Sequence, residues 1–171
     1  VRASFLPGPN TTVAERIDEL KLHEIALGDG AVLETNCVYI VPLIESLALP
    51  ASIAAAANPK SSTGRLDVFT RVVTDLNAGF DEIRSGYHGP LFLEVVPRSF
   101  AVKVRTGQSL NQIRFVRGEA TVSDASLKTL HSKSPLLYHN SPTRKVLEQR
   151  EFRAERGLFL RIDLKGDDRT D

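Results

Sequence analysis

The sequence lacks most of the features that announce cofactor, membrane and secretory chemistry. Cys37 is its only cysteine, so no internal disulfide can form, and a reducing compartment such as the cytoplasm is the simplest address. Cys37 opens the apolar run 37–41 and is expected to be a buried thiol. No stretch approaches the roughly 18 consecutive apolar residues of a membrane span. No charged start followed by an apolar core marks a secretory signal. An excess of one charge is missing too: 22 basic against 21 acidic residues leave a net charge of +1. That balance gives no support for broad electrostatic binding to nucleic acid or a membrane. Any bound phosphate must be held by a local site. The four histidines, His23, His88, His131 and His139, have no metal-ligand spacing with Cys37. The His-x-Glu and Cys-x-x-Cys pattern that sets a zinc-bound water beside a carboxylate is absent. So are a Walker phosphate loop and a Gly-x-Gly-x-x-Gly turn.

What is present is strand-forming. With 171 residues, 42% of them hydrophobic, the chain can bury one substantial core. Residues 31–43 carry β-branched and aromatic side chains between Gly30 and the downstream Pro50, as a buried strand does. Segments 91–96, 101–104 and 112–116 repeat the signal, separated by Pro97 and Gly107. Short strands at this spacing point to a mainly antiparallel sandwich or barrel rather than β-α units. Two short helices are expected, over 61–66 and over 123–132, the second capped by Ser123 with Leu127 and Leu130 on one face. The Ala-rich stretch 51–57 balances helix against strand and reads as strand. The chain opens without Met on a strand-like pattern, 1–6, and reads as a trimmed piece of a longer protein. Domain boundaries follow from texture: a β domain over 1–134, a charged linker or solvated helix over 135–156, and over 157–171 the start of a following domain or a C-terminal strand.

Two segments could carry chemistry. In Asn58-Pro59-Lys60-Ser61-Ser62-Thr63-Gly64-Arg65 a turn leads into a helix start with two hydroxyls and a cation at either end. Free N–H groups there could hold a phosphate chain, although an N-capped surface turn has the same pattern. In Gly86-Tyr87-His88-Gly89-Pro90-Leu91-Phe92-Leu93-Glu94 two glycines frame a turn into an apolar strand that ends on a carboxylate. Glu94 is either an outward group on a half-exposed strand or a partly desolvated carboxylate able to shuttle protons near neutral pH.

The ordered set 59–66, Val72-Val73-Thr74, Gly86-Tyr87-His88-Gly89, Leu93-Glu94 and the later Gly107 to Phe115 segment with Gln112 resembles the dCTP deaminase family, within the wider dUTPase-like group. The resemblance covers roughly 31–118 and is carried by the order of the motifs more than by any one of them. It implies a mainly β fold, a distorted β-barrel or jelly roll of the dUTPase-like type with one or two short helices. The assembly would be a homotrimer or pseudo-trimer with sites between subunits. The implied reaction is hydrolytic deamination of dCTP to dUTP and ammonia, without zinc, with Mg2+ arriving on the triphosphate. Glu94 matches the glutamate that activates water, Ser61 the serine that positions it, and Arg65 the arginine near the exocyclic amine. Lys60 and Ser62 match phosphate-contacting positions, with lysine where the family commonly has arginine. Val72 and Thr74 belong to the strand that reads the base edge, Tyr87 to an aromatic position that packs on deoxyribose, and Gln112 to a position that reaches a phosphate. The departures are a longer loop at 81–85, no Ser-x-Asp-x-Arg-Leu-Gly segment, and no recognisable triphosphate-closing tail after Pro135.

Three rival readings stay open. A dUTPase-like or bifunctional enzyme needs an aspartate just before the glycine turn, where Ser85 and Gly86 stand. A duplicated protein could keep one half as a nucleotide-binding or trimer-building scaffold. A plain β-sandwich interaction module would explain the strands but not the ordered motifs. No reading calls for nucleic acid or a membrane.

Overall fold

Alternating apolar positions decide most of the architecture. The computed structural model describes residues 1–118, 122–139, 141–155 and 157–162. By its internal contacts the chain divides into two compact units, Val1–Gly118 and Glu119–Asp171. In the first unit eight strands run β1 (Ala31–Leu33), β2 (Tyr39–Ala48), β3 (Ile53–Pro59), β4 (Val68–Thr74), β5 (Glu82–Ile83), β6 (His88–Pro97), β7 (Val102–Val104) and β8 (Asn111–Arg117). They form three small sheets, β1-β7, β2-β6-β4 and β5-β3-β8, and every pairing is antiparallel. The mainly β, antiparallel expectation holds, with the described strands shared among three sheets rather than one closed barrel.

β6 organises the interior because it buries both faces. Leu91, Leu93 and Val95 join Val68, Val72, Ile83 and Tyr87 in the larger core. Phe92, on the opposite face, packs with Phe5, Val13 and Val73 in a second core closed by the N-terminal segment. Alternation puts Glu94 on that second face, two residues from Phe92.

A helix precedes all the strands. α1 (Val13–Leu20) begins in a capping box: Thr12 Oγ1 accepts from the Glu15 N–H at 3.3 Å and Glu15 accepts from the Thr12 N–H at 2.7 Å. Thr-x-x-Glu before Ile17 and Leu20 is a legible helix start. This start is not among the expected elements, and the strand-like pattern at 1–6 forms no strand. Phe5 and the first helical turn cover the sheet instead of extending it. The expected strand 31–43 is also broken. Asn36 adopts φ 59° in the turn between β1 and β2, and Cys37 in that turn is exposed rather than buried. α2 (Ser61–Arg65) and the β3 reading of the Ala-rich stretch stand as expected.

In the second unit Ser123 caps α3 (Asp124–Lys133) through the Ser126 N–H. The buried side chain of α3 is His131, not Leu130, which is exposed. His131 accepts the Leu136 N–H on Nδ1 at 3.0 Å, lies 2.8 Å from the Leu147 carbonyl through Nε2, and stacks on Phe152. Residues 141–155 form turns and bridges, Tyr138 with Val146 and Ala154 with Leu158. Of the segment 157–171, read as the start of a following domain or a C-terminal strand, residues 157–162 are described and show a single bridge at Leu158; residues 163–171 lie outside the described residues. Among the described residues no helix is long and apolar enough to cross a membrane.

The turn into β6 depends on its glycines. Gly86 sits at φ 69°, and at Gly89, φ 156°, an added Cβ would meet the Tyr87 hydroxyl oxygen at 2.8 Å. Gly89→Ala is therefore expected to cost about 1–3 kcal/mol in urea unfolding. Gly64→Ala, in α2 with open space around it, should be neutral or stabilise by about 0.5–1 kcal/mol. Equal effects at the two positions would contradict the packing of Tyr87 under Gly89.

Candidate functional site

Strand register builds the centre of the site. In the β4–β6 pairing Arg71 lies directly opposite Glu94, so the side chains emerge on the same face. Glu94 is 1% exposed, and a carboxylate that deeply buried must be paired. Arg71 supplies the pairing: its Nε donates to Glu94 Oε1 at 3.0 Å and its Nη2 donates to the same oxygen at 2.6 Å. The Ser4 hydroxyl donates to the other oxygen, Oε2, and accepts from Arg71 Nη2 at 2.7 Å. The guanidinium carbon lies 3.5 Å from the Phe80 ring centroid and 4.9 Å from that of Phe69, a flat apolar seat that favours a weakly hydrated planar cation. Ser4, Arg71 and Glu94 open onto a cleft of about 600 Å³ that Pro59, Gly64 and Arg98 also line.

The loop between β4 and β6 closes against the edge of β4. Asp81, at φ 60°, accepts the Val72 N–H on its carboxylate at 2.8 Å and gives its own N–H to the Val72 carbonyl at 2.9 Å. Burial pushes the Asp81 carboxyl above the ordinary carboxylate range. The Val72 N–H and Arg71 oppose that shift, and Glu94 adds to it.

The motif residues do not all converge. Glu94 stands at the centre, and Pro59 and Gly64 bring one edge of the Lys60–Arg65 segment to the same cleft. Ser61, Ser62 and Arg65 are exposed on α2, Lys60 is half-buried at its N-cap, and none of the four lines the cleft. α2 is pinned from beneath: the Thr63 hydroxyl and the Lys60 N–H both donate to the Leu110 carbonyl, at 2.8 and 3.0 Å. Val72 is buried with its peptide edge occupied by Asp81. Thr74 is buried and accepts from Asn77 Nδ2 at 3.1 Å. Tyr87 is 1% exposed; its hydroxyl donates to the Pro90 carbonyl at 2.6 Å and accepts the Asp75 N–H at 3.3 Å. Burial raises the phenol above its usual range, so it stays protonated. Gln112 is exposed on β8 and lines a separate, larger cleft of about 1190 Å³, which Val72 also borders. Arg71 and Ser4 are the site residues that sequence reasoning missed; Asp81 opens the loop 81–85 already noted as a departure. An arginine inside the apolar strand Val68–Thr74 was a readable signal; Ser4 offered none. Among the described residues no group of three or more His, Cys, Asp or Glu side chains is placed to hold a metal ion.

Comparison with known proteins places these features. A family model described as the 2'-deoxycytidine 5'-triphosphate deaminase N-terminal domain matches residues 1–119. The crystal structure of 2'-deoxycytidine 5'-triphosphate deaminase from Agrobacterium tumefaciens is 56% identical and superposes with a TM-score of 0.68. That match covers 83% of this chain and 42% of the Agrobacterium chain, so this chain spans less than half the length of that relative. Native EIAV dUTPase aligns at 15% identity with a TM-score of 0.44, over 58% of this chain and 78% of its own. No curated protein matches.

The Asp81 environment gives a pH prediction. A carboxyl raised above its reference value of 3.8 binds more protons in the folded than in the unfolded state. Its contribution is fully present below that value and is lost as pH rises through the higher folded pKa. Asp81→Asn can keep the bond from Val72 without the charge. The variant should therefore gain stability relative to wild type between pH 4 and pH 7, measured by urea unfolding at both. A difference that is flat or falls over that interval would contradict a desolvated carboxylate at 81.

Proposed function

Because the chain belongs to the 2'-deoxycytidine 5'-triphosphate deaminase N-terminal-domain family, we propose that it carries the site for hydrolytic deamination of dCTP to dUTP and ammonia, with Glu94 as the proton shuttle. The observation that carries the reading is a glutamate 1% exposed at the wall of a cleft, on the strand that closes the family motif. Water adds to cytosine C4, and its proton passes to the carboxylate. The C4=N3 pair moves onto N3, which takes that proton. The new hydroxyl then gives its proton, again through the carboxylate, to the departing amine, and C4 becomes a carbonyl. One fixed carboxylate can serve each transfer in turn.

The other assignments belong to the same proposal. Ser61 orients the water and Arg65 stabilises charge at the exocyclic amine. Both are exposed on α2, a placement compatible with their serving a neighbouring subunit's Glu94 in a trimer. Lys60, Ser62 and Gln112 contact phosphates. The Val72 and Thr74 peptides read the base edge after Asp81 lets go of Val72. Tyr87, whose hydroxyl is already committed to Pro90, serves as a wall behind the sugar. Mg2+ enters bound to the triphosphate, as hard cations commonly do with nucleotides. The mechanism needs no zinc, and a nucleotide substrate fits a cytoplasmic enzyme.

Incubation with dCTP and Mg2+, with a zinc-selective chelator as control, tests the reading. Wild type should yield dUTP and ammonia, and Glu94→Gln should lose about 100-fold or more of kcat, the scale of general acid–base catalysis. Formation of dUMP and pyrophosphate would make the enzyme bifunctional. Binding without turnover would leave a scaffold that shares only ancestry with the deaminases.

A further inference from the structure

The contacts of Glu94 are unequal on its two oxygens. Both guanidinium donors, Nε and Nη2 of Arg71, go to Oε1, at 3.0 and 2.6 Å. Oε2 takes neither and meets the Ser4 hydroxyl instead. Arg71 is itself restrained: Phe80 lies under its guanidinium at 3.5 Å and Phe69 flanks it at 4.9 Å. Its backbone is fixed opposite Glu94 by the β4–β6 register. A carboxylate anchored through one oxygen by a seated fork cannot rotate, so the second oxygen keeps one direction. That oxygen meets Ser4, which lines the cleft together with Glu94.

We propose that Arg71 is a positioning residue for the deamination, anchoring Oε1 so that Oε2 is the oxygen that exchanges protons with water, N3 and the leaving amine. The inference rests on the deaminase reading above. The Ser4 hydroxyl marks where the water goes: an O–H group that donates to Oε2 and accepts from Arg71 Nη2 at 2.7 Å. A water at that point gives its proton to Oε2 and spends one lone pair on Arg71. Its other lone pair is free to attack C4. Lysine cannot reproduce the arrangement, because a single ammonium has no rigid fork to seat between the rings and hold one oxygen at two points.

The test is steady-state deamination of dCTP by wild type, Arg71→Ala and Arg71→Lys, each checked for folding by circular dichroism and thermal unfolding. Loss of orientation without loss of substrate contacts should lower kcat by about 100-fold in Arg71→Ala, with KM within about threefold of wild type on the same argument. Added guanidinium ion should restore part of the kcat of Arg71→Ala and none of that of Glu94→Gln. Arg71→Lys, which keeps the charge, should remain well below wild type in kcat. If Arg71→Ala does not fold, the lysine variant decides alone. A kcat near wild type in a folded variant would overturn the positioning role while leaving the deaminase reading intact, and so would a defect confined to KM. A wild type that releases no ammonia from dCTP would overturn the deaminase reading and this one together.

Discussion

The buried ion pair between Glu94 and Arg71 is the constraint around which the first unit is arranged. A carboxylate at 1% exposure is unfavourable unless its charge is met, and removing one partner of such a pair typically costs about 3–5 kcal/mol. Replacing both with packed apolar side chains is often neutral or stabilising. Stability alone therefore does not explain why β6, apolar on both faces at Leu91, Phe92, Leu93, Val95 and Val96, admits a glutamate. The pair makes sense as equipment for chemistry, and the surrounding structure accommodates it. Phe80 and Phe69 seat the guanidinium, the register of β4 on β6 sets the distance, and the N-terminal segment supplies the cover.

The two-core arrangement follows from that placement. If β6 buried only the face of Leu91, Leu93 and Val95, Glu94 would point into solvent and act as an ordinary surface charge. The second core, where Phe92 meets Phe5, Val13 and Val73, encloses the opposite face and leaves an opening at Glu94. α1 is held to this face where its first N–H meets the Asp75 carboxylate, at 2.7 Å from Val13. The N-terminal twenty residues therefore act on the site as well as on the fold. They supply the cover over Phe92, and they bring Ser4 to the Glu94 carboxylate.

What could be read from the sequence divides along the same line. Strands β6, β7 and β8 and the helices α2 and α3 were legible because their signals are local: alternation, a glycine or proline break, a serine cap. Glu94 was legible as a candidate for the same reason, as a charge standing in an apolar run. Its burial was not legible, because the groups that meet it, Ser4 and Arg71, come from far away in sequence. Arg71 escaped for want of register: only pairing β4 against β6 brings positions 71 and 94 together. Cys37 was misjudged because Asn36, in the left-handed region, turns the chain between β1 and β2. The run 37–41 is thus not one continuous strand interior. Tyr87, matched to a sugar-facing position, is locked into the core by Pro90 and Asp75, a contact no motif records.

The site as it stands is closed by groups that resemble what it is proposed to bind. Val72 presents one N–H and one C=O at the edge of β4, and Asp81 meets them with one carboxylate oxygen and one peptide N–H. The Watson–Crick edge of cytosine also offers an acceptor, N3, beside a donor, the exocyclic amine. Exchanging Asp81 for a base thus trades hydrogen bonds of the same kind, each worth only about 0.5–1.5 kcal/mol net. Likewise a water that takes the place of the Ser4 hydroxyl repeats its bonds to Oε2 and Arg71. Opening then leaves no buried polar group without a partner, provided that ligand and water arrive as the cover withdraws. An edge of one donor and one acceptor does not by itself distinguish cytosine from uracil, which offers O4 beside N3–H. On the proposed deamination, discrimination falls to the exchange of protons at Glu94. There a carboxylate must pass a proton to an amine leaving C4, which cytosine carries and uracil lacks.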